Sequence, residues 1–66
     1  MKDIHIGKII KEEVKRQGRS VKWLSEKLYC DRSNIYDIFK RQSIDTSLLK
    51  RFSEILGIDF FEYYRN

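Results

Sequence analysis

Proline is absent, cysteine and tryptophan occur once each and glycine three times, so this 66-residue chain lacks most devices that staple, kink or link small proteins. A single cysteine excludes an intramolecular disulfide. Cys30 with one histidine, His5, also excludes a four-ligand zinc site, which leaves apolar packing to hold the fold. Without a Pro-, Gly- or Ser-rich stretch there is no candidate linker, and the expectation is one domain over residues 1–66. No apolar run approaches the roughly 18 residues of a membrane span, and the start MKDIHIGKII lacks the order of a signal peptide. These absences point to a soluble, cytoplasmic chain with no membrane partner. They also predict no enzyme, metal or cofactor, because no nucleophile–base pair, phosphate loop or ligand cluster is present.

Charge is present, and unevenly placed. The chain carries 14 Lys+Arg against 10 Asp+Glu. Residues 1–44 hold eleven basic and six acidic residues, a surplus of five, whereas residues 45–66 hold three and four. The basic excess in the first two thirds favours an anionic partner.

Apolar residues recur at helical spacing throughout, which predicts an all-α chain. The first helix is expected from Ile6 to Gln17, with Ile6, Ile9, Ile10 and Val14 inward and Gly18 as a left-handed stop. Lys8, Lys11 and Lys15 lie on its solvated side. The second helix follows the N-cap Ser20 and turns Val21, Leu24 and Leu28 inward, with small Ser25 on the same stripe. After a short break at Tyr29 and Cys30, Asp31 is placed to cap a third helix with Ile35, Ile38 and Phe39 inward. Asp45 or Thr46 opens a fourth, burying Leu48, Leu49, Phe52, Ile55 and Leu56 up to Gly57. Asp59 and Glu62 then form a capping-box-like start to a last short helix, Phe60 to Tyr64.

Two short helices joined by a tight turn, the second with a polar outer face, form the arrangement that sets one helix in a DNA major groove. The segment SVKWLSEKLYCDRSNIYDIFKR fits it. Together with IGKIIKEEVKRQ before it and TSLLKRFSEILG and DFFEYY after it, this segment resembles the Cro/phage-repressor-like (XRE) helix-turn-helix family from about Ile6 to Tyr64. The chain departs from that pattern at Ser25, where the family usually has Ala, at Tyr29, where it has Gly, and at Val21, where Gln is frequent. The family's Gly after the third helix and Pro before the fourth are missing near Arg41 and Ile44.

The resemblance implies a compact five-helix, lambda-repressor-like domain that binds double-stranded DNA as a small transcriptional regulator, as a homodimer on an inverted repeat and without a small-molecule ligand. It maps base reading onto Arg32, Ser33, Asn34, Tyr36 and Asp37, whose chemistry suits base edges: Arg32 for guanine, Asn34 for adenine, Asp37 for cytosine N4. Phosphate contacts are expected from Arg19, Ser20, Lys22, Lys40, Arg41, Gln42 and Ser43, although Ser20 equally serves as a plain cap. Trp23 either covers a core edge or is displayed toward DNA. Cys30 reads as a small core residue and His5 as a surface one. At the aromatic end, Phe61 and Tyr64 are expected inward and Phe60 and Tyr63 outward as a subunit contact, unless all four simply close the core. The competing function is a helix-turn-helix scaffold that binds protein, as an antitoxin-like partner does.

Overall fold

The structure, a computed structural model, describes residues 4–65. It is helical throughout, with no strand among the described residues: α1 (Ile6–Arg16), α2 (Val21–Leu28), α3 (Arg32–Lys40), α4 (Thr46–Leu56) and a closing 3₁₀ segment (Phe60–Tyr64). No helix of the described residues is long and apolar enough to cross a membrane.

The first turn of a helix leaves several amides without intrahelical partners, and α1 resolves this in an unusual way. His5 accepts the Lys8 amide on Nδ1 at 3.1 Å, so this residue is a cap and not merely a surface side chain. The Ile6 and Gly7 amides donate to the Gln42 and Arg41 carbonyls, both at 3.0 Å. The start of α1 is thereby hydrogen-bonded to the chain leaving α3. Gly7 permits the approach: a Cβ there would lie 2.6 Å from the Phe39 and Arg41 carbonyl oxygens and closer still to that of Ile38.

Three helices stop in the same way. Beyond α1, α2 and α4 a residue turns left-handed, Gly18 at φ +70°, Tyr29 at φ +56° and Gly57 at φ +69°. The amide of the next residue then reaches back five positions, Arg19 to Val14, Cys30 to Ser25 and Ile58 to Ser53, at 3.0, 3.0 and 3.1 Å. This is the Schellman stop, and glycine suits its left-handed residue because it has no Cβ to clash.

The core combines Ile6, Ile10 and Val14 of α1, Leu24 and Leu28 of α2, Ile35, Ile38 and Phe39 of α3, and Leu49, Phe52 and Leu56 of α4 with Phe60. Each such side chain contributes roughly 1.5–3 kcal/mol when fully buried. Ser25 is also buried, and it is tolerated because its hydroxyl donates to the Lys22 carbonyl at 2.8 Å. Trp23 and Cys30 are half-buried against this core, which places Trp23 at its edge. α1 and α4 are tied at their far ends, where Gln17 Nε2 donates to the Leu56 carbonyl at 2.9 Å and to Glu13 at 2.8 Å.

The aromatic end differs from expectation. Phe60 is fully buried and so is no subunit contact, Phe61 is half-buried, and Tyr63 and Tyr64 are 48% and 46% exposed. The reason is local. The Asp59 side chain accepts from the Phe61 amide, and the Phe60 amide donates to Ser53 Oγ at 3.2 Å, which draws Phe60 onto α4 directly. The segment then winds as a 3₁₀ helix at three residues per turn, so a phase counted at 3.6 misplaces its side chains. Glu62 is exposed, and no capping-box bond from its side chain is formed.

Candidate nucleic-acid interface

α3 has one narrow apolar face. Ile35, Ile38 and Phe39 point into the core, and every other residue from Arg32 to Arg41 is exposed. At 100° per residue, Ser33, Asp37 and Lys40 stand directly opposite the buried face, Arg32 and Tyr36 flank them on one side, and Asn34 and Arg41 on the other. The outward ridge therefore carries Ser33 and Asp37 with Tyr36 beside them, and the other two expected base readers lie on its flanks, Arg32 on the side of Phe39 and Asn34 on the side of a cleft shared with α4.

This ridge is rigidly seated. α1 and α2 both pack on the buried face of α3 through the core. The backbone leaving α3 is fixed by the amides of Ile6 and Gly7. A helix of nine residues is about 13 Å long and 10–12 Å across with side chains, which suits a groove about 12 Å wide.

The joint between α2 and α3 breaks two local rules. Tyr29 is the one non-glycine residue at positive φ among the described residues, a conformation that costs an L-residue roughly 1–2 kcal/mol, and its ring is 92% exposed. Asp31 occupies the N-cap of α3 in extended backbone but makes no side-chain bond to the first turn, contrary to its expected role. Ser20 and Asp45 do cap, accepting from the Trp23 and Leu48 amides at 3.0 and 2.8 Å.

The expected phosphate-contacting residues fall into distinct settings. Lys22, Lys40, Gln42 and Ser43 are exposed. Ser20 is occupied as a cap, and the Gln42 carbonyl is committed to α1. Arg19 lies over the Trp23 ring at 4.4 Å, with the Lys27 ammonium 5.8 Å from the same ring, a pair of cation–π contacts along the outer side of α2. Arg41 donates through Nε and Nη2 to Asp37 Oδ2 at 3.2 and 2.8 Å. The other ion pairs among the described residues are Arg16–Glu13 and Arg65–Asp59, so Lys22, Arg32, Lys40 and Arg51 form none with a described residue.

Arg51 carries no mark in the sequence pattern. It lies on α4, on the wall of the cleft that also contains Asn34, Asp37 and Arg41. The Asp37–Arg41 pairing was legible as an i, i+4 spacing of opposite charges. Arg51 could be found only once α4 was placed beside α3.

Compared with protein-family models, with curated proteins and with solved structures, the chain matches none.

Proposed function

We propose that this chain is a sequence-specific, double-stranded DNA-binding domain of the helix-turn-helix type with a lambda-repressor-like architecture. α2 and α3 form the helix-turn-helix and α3 enters the major groove. The observation that carries the reading is a short helix fixed on its buried side by α1 and α2, with an outer face made entirely of groups able to bond bases or phosphates. Ser33, Asp37, Arg32 and Tyr36 then read base edges, and Lys22, Lys40 and Ser43 contact the flanking backbone. Acting in the cytoplasm as a transcriptional regulator, the protein binds inverted repeats as a homodimer, because one small module gains limited affinity alone.

Selection of bound sequences from random duplexes tests this directly. An enriched motif is expected, and Arg32→Ala should flatten its base preference by about 1–3 kcal/mol at one position. Recovery of no motif sinks the proposal.

The exposure of Tyr63 and Tyr64 favours a second reading, in which the aromatic end docks a protein partner. Salt separates the two. Binding through several phosphates weakens steeply as salt rises, whereas an aromatic contact does not.

A further inference from the structure

The cleft between α3 and α4, about 340 Å³, has an apolar floor that includes Ile38 and Leu48. Its polar lining is Asn34, Asp37, Arg41 and Arg51. Two guanidinium groups and an amide thus share a concavity that holds a single carboxylate. That carboxylate, Asp37, accepts two bonds from Arg41 through one oxygen, and Arg51 forms no ion pair with a described residue.

We infer that this cleft is a binding site for one DNA backbone phosphodiester, held by Arg41 and Arg51, and that Asp37 occupies it as an internal anion until DNA displaces it. The inference rests on the DNA-binding reading and adds to it a residue, Arg51, and a helix, α4, that the reading helix alone does not supply.

Three features support the assignment. Arginine's planar fork can bond two phosphate oxygens at once, whereas Arg41 now directs both donors to a single oxygen of Asp37. The Asp37–Arg41 pair is more than half exposed on both sides, so it is weak and readily exchanged. Charge favours an anion as well: once Asp37 is displaced, two arginines face the cleft, and a phosphodiester there meets a net positive site. When the phosphodiester enters, Arg41 turns from Asp37 to the phosphate, and the freed carboxylate on the outward ridge is left to accept from a cytosine amino group. Where no cytosine is offered, that carboxylate faces the backbone unpaired and opposes binding, so the same exchange disfavours the wrong sequence.

The test measures affinity of the whole chain for a random-sequence duplex as a function of salt, by fluorescence anisotropy. Arg51→Gln, an exposed substitution that should melt with the wild type, is expected to weaken binding to all duplexes alike by about tenfold. It should also remove about 0.9 from the log–log salt slope, the value of one phosphate. Asp37→Asn is expected to tighten binding to the random duplex. An unchanged slope in Arg51→Gln, with wild-type binding intact, overturns the cleft and leaves the DNA reading standing. Failure of the wild type to bind any duplex overturns both. A parallel titration follows the Arg41 and Arg51 Nε–Hε resonances with inorganic phosphate against chloride at equal ionic strength. Selective movement there, with duplex binding indifferent to Arg51→Gln, assigns the cleft to free phosphate and overturns the phosphodiester.

Discussion

α1 and α4 are finished at both ends. His5 and Asp45 cap their first turns with side-chain acceptors, and Gly18 and Gly57 end them in the left-handed conformation that glycine adopts without strain. The joint between α2 and α3 uses the same stop with a tyrosine, and the same start with an aspartate that makes no capping bond. Local rules are kept where the helices only hold the molecule together. They are broken beside the helix proposed to meet DNA, and such breaks gather at functional sites because what is lost in stability is retained for contact. The difference divides the molecule into a frame and a reading pair, which should respond oppositely to substitution.

The largest response belongs to the frame. Phe60→Ala removes a fully buried ring and should cost about 3–5 kcal/mol, measured as a fall in the urea midpoint. Tyr63→Ala, on the half-exposed neighbour whose ring stacks on Phe60 at 6.4 Å, should cost under about 1.5 kcal/mol. Equal costs would erase the inward and outward assignment of the aromatic end. Next comes Gly7→Ala. Its Cβ would meet three carbonyl oxygens of the α3 exit, so the α1 start must move away, at a cost of about 3 kcal/mol. Because those bonds also seat α3, DNA affinity should fall in the surviving folded protein, whereas Phe60→Ala should spare it once refolded at low temperature.

The reading pair should respond with the opposite sign. Tyr29→Gly relieves the left-handed strain and removes a ring that the fold does not cover, and should raise stability by up to about 1 kcal/mol after glycine's own entropy cost. Destabilisation instead would mean that the ring has a structural task in this fold. The two aspartate caps offer a finer contrast: Asp45→Ala should cost about 1 kcal/mol, Asp31→Ala only a few tenths from the helix dipole.

What could be read from residues alone follows the range of the interaction. Ser20, Asp45, Gly18 and Gly57 were legible because a cap is decided within four or five residues. The buried faces of α1 to α4 were legible because 3.6 periodicity is intrinsic to the helix. Gly7 was not, since its reason lies in carbonyls more than thirty residues away. Phe60 was misplaced because one Asx turn and one bond to Ser53 set a 3₁₀ phase that periodicity does not contain. In the candidate site, Ser33, Tyr36, Asp37 and Lys40 could be named from helix phase, but the turning of Asn34 into a cleft and the presence of Arg51 there depend on how α4 lies against α3.

The smallest expected effect concerns acid, and it too should separate the two regions. In the frame, Glu13 accepts from Arg16 and from Gln17, whose amide also binds the Leu56 carbonyl, so its carboxylate helps to hold the ends of α1 and α4 together. The hydrogen bond from Arg16 holds the Glu13 carboxyl below the ordinary carboxylate range; desolvation opposes it, and the bond from Gln17 and the charge of Arg16 add to the lowering. A folded-state pKa below the unfolded one means that the stabilisation is present above the unfolded value. It is lost as pH falls through the folded one. Urea midpoints should therefore decline as pH falls through and below the ordinary carboxylate range, and Glu13→Gln should flatten part of that decline while leaving the midpoint slightly lower at neutral pH. If Glu13→Gln leaves the acid slope untouched, the tie between α1 and α4 is carried by the Gln17–Leu56 bond without Glu13. Asp37→Asn, by contrast, should leave the urea midpoint at neutral pH close to that of the wild type, because that carboxylate belongs to an exposed, weak pair on the reading helix.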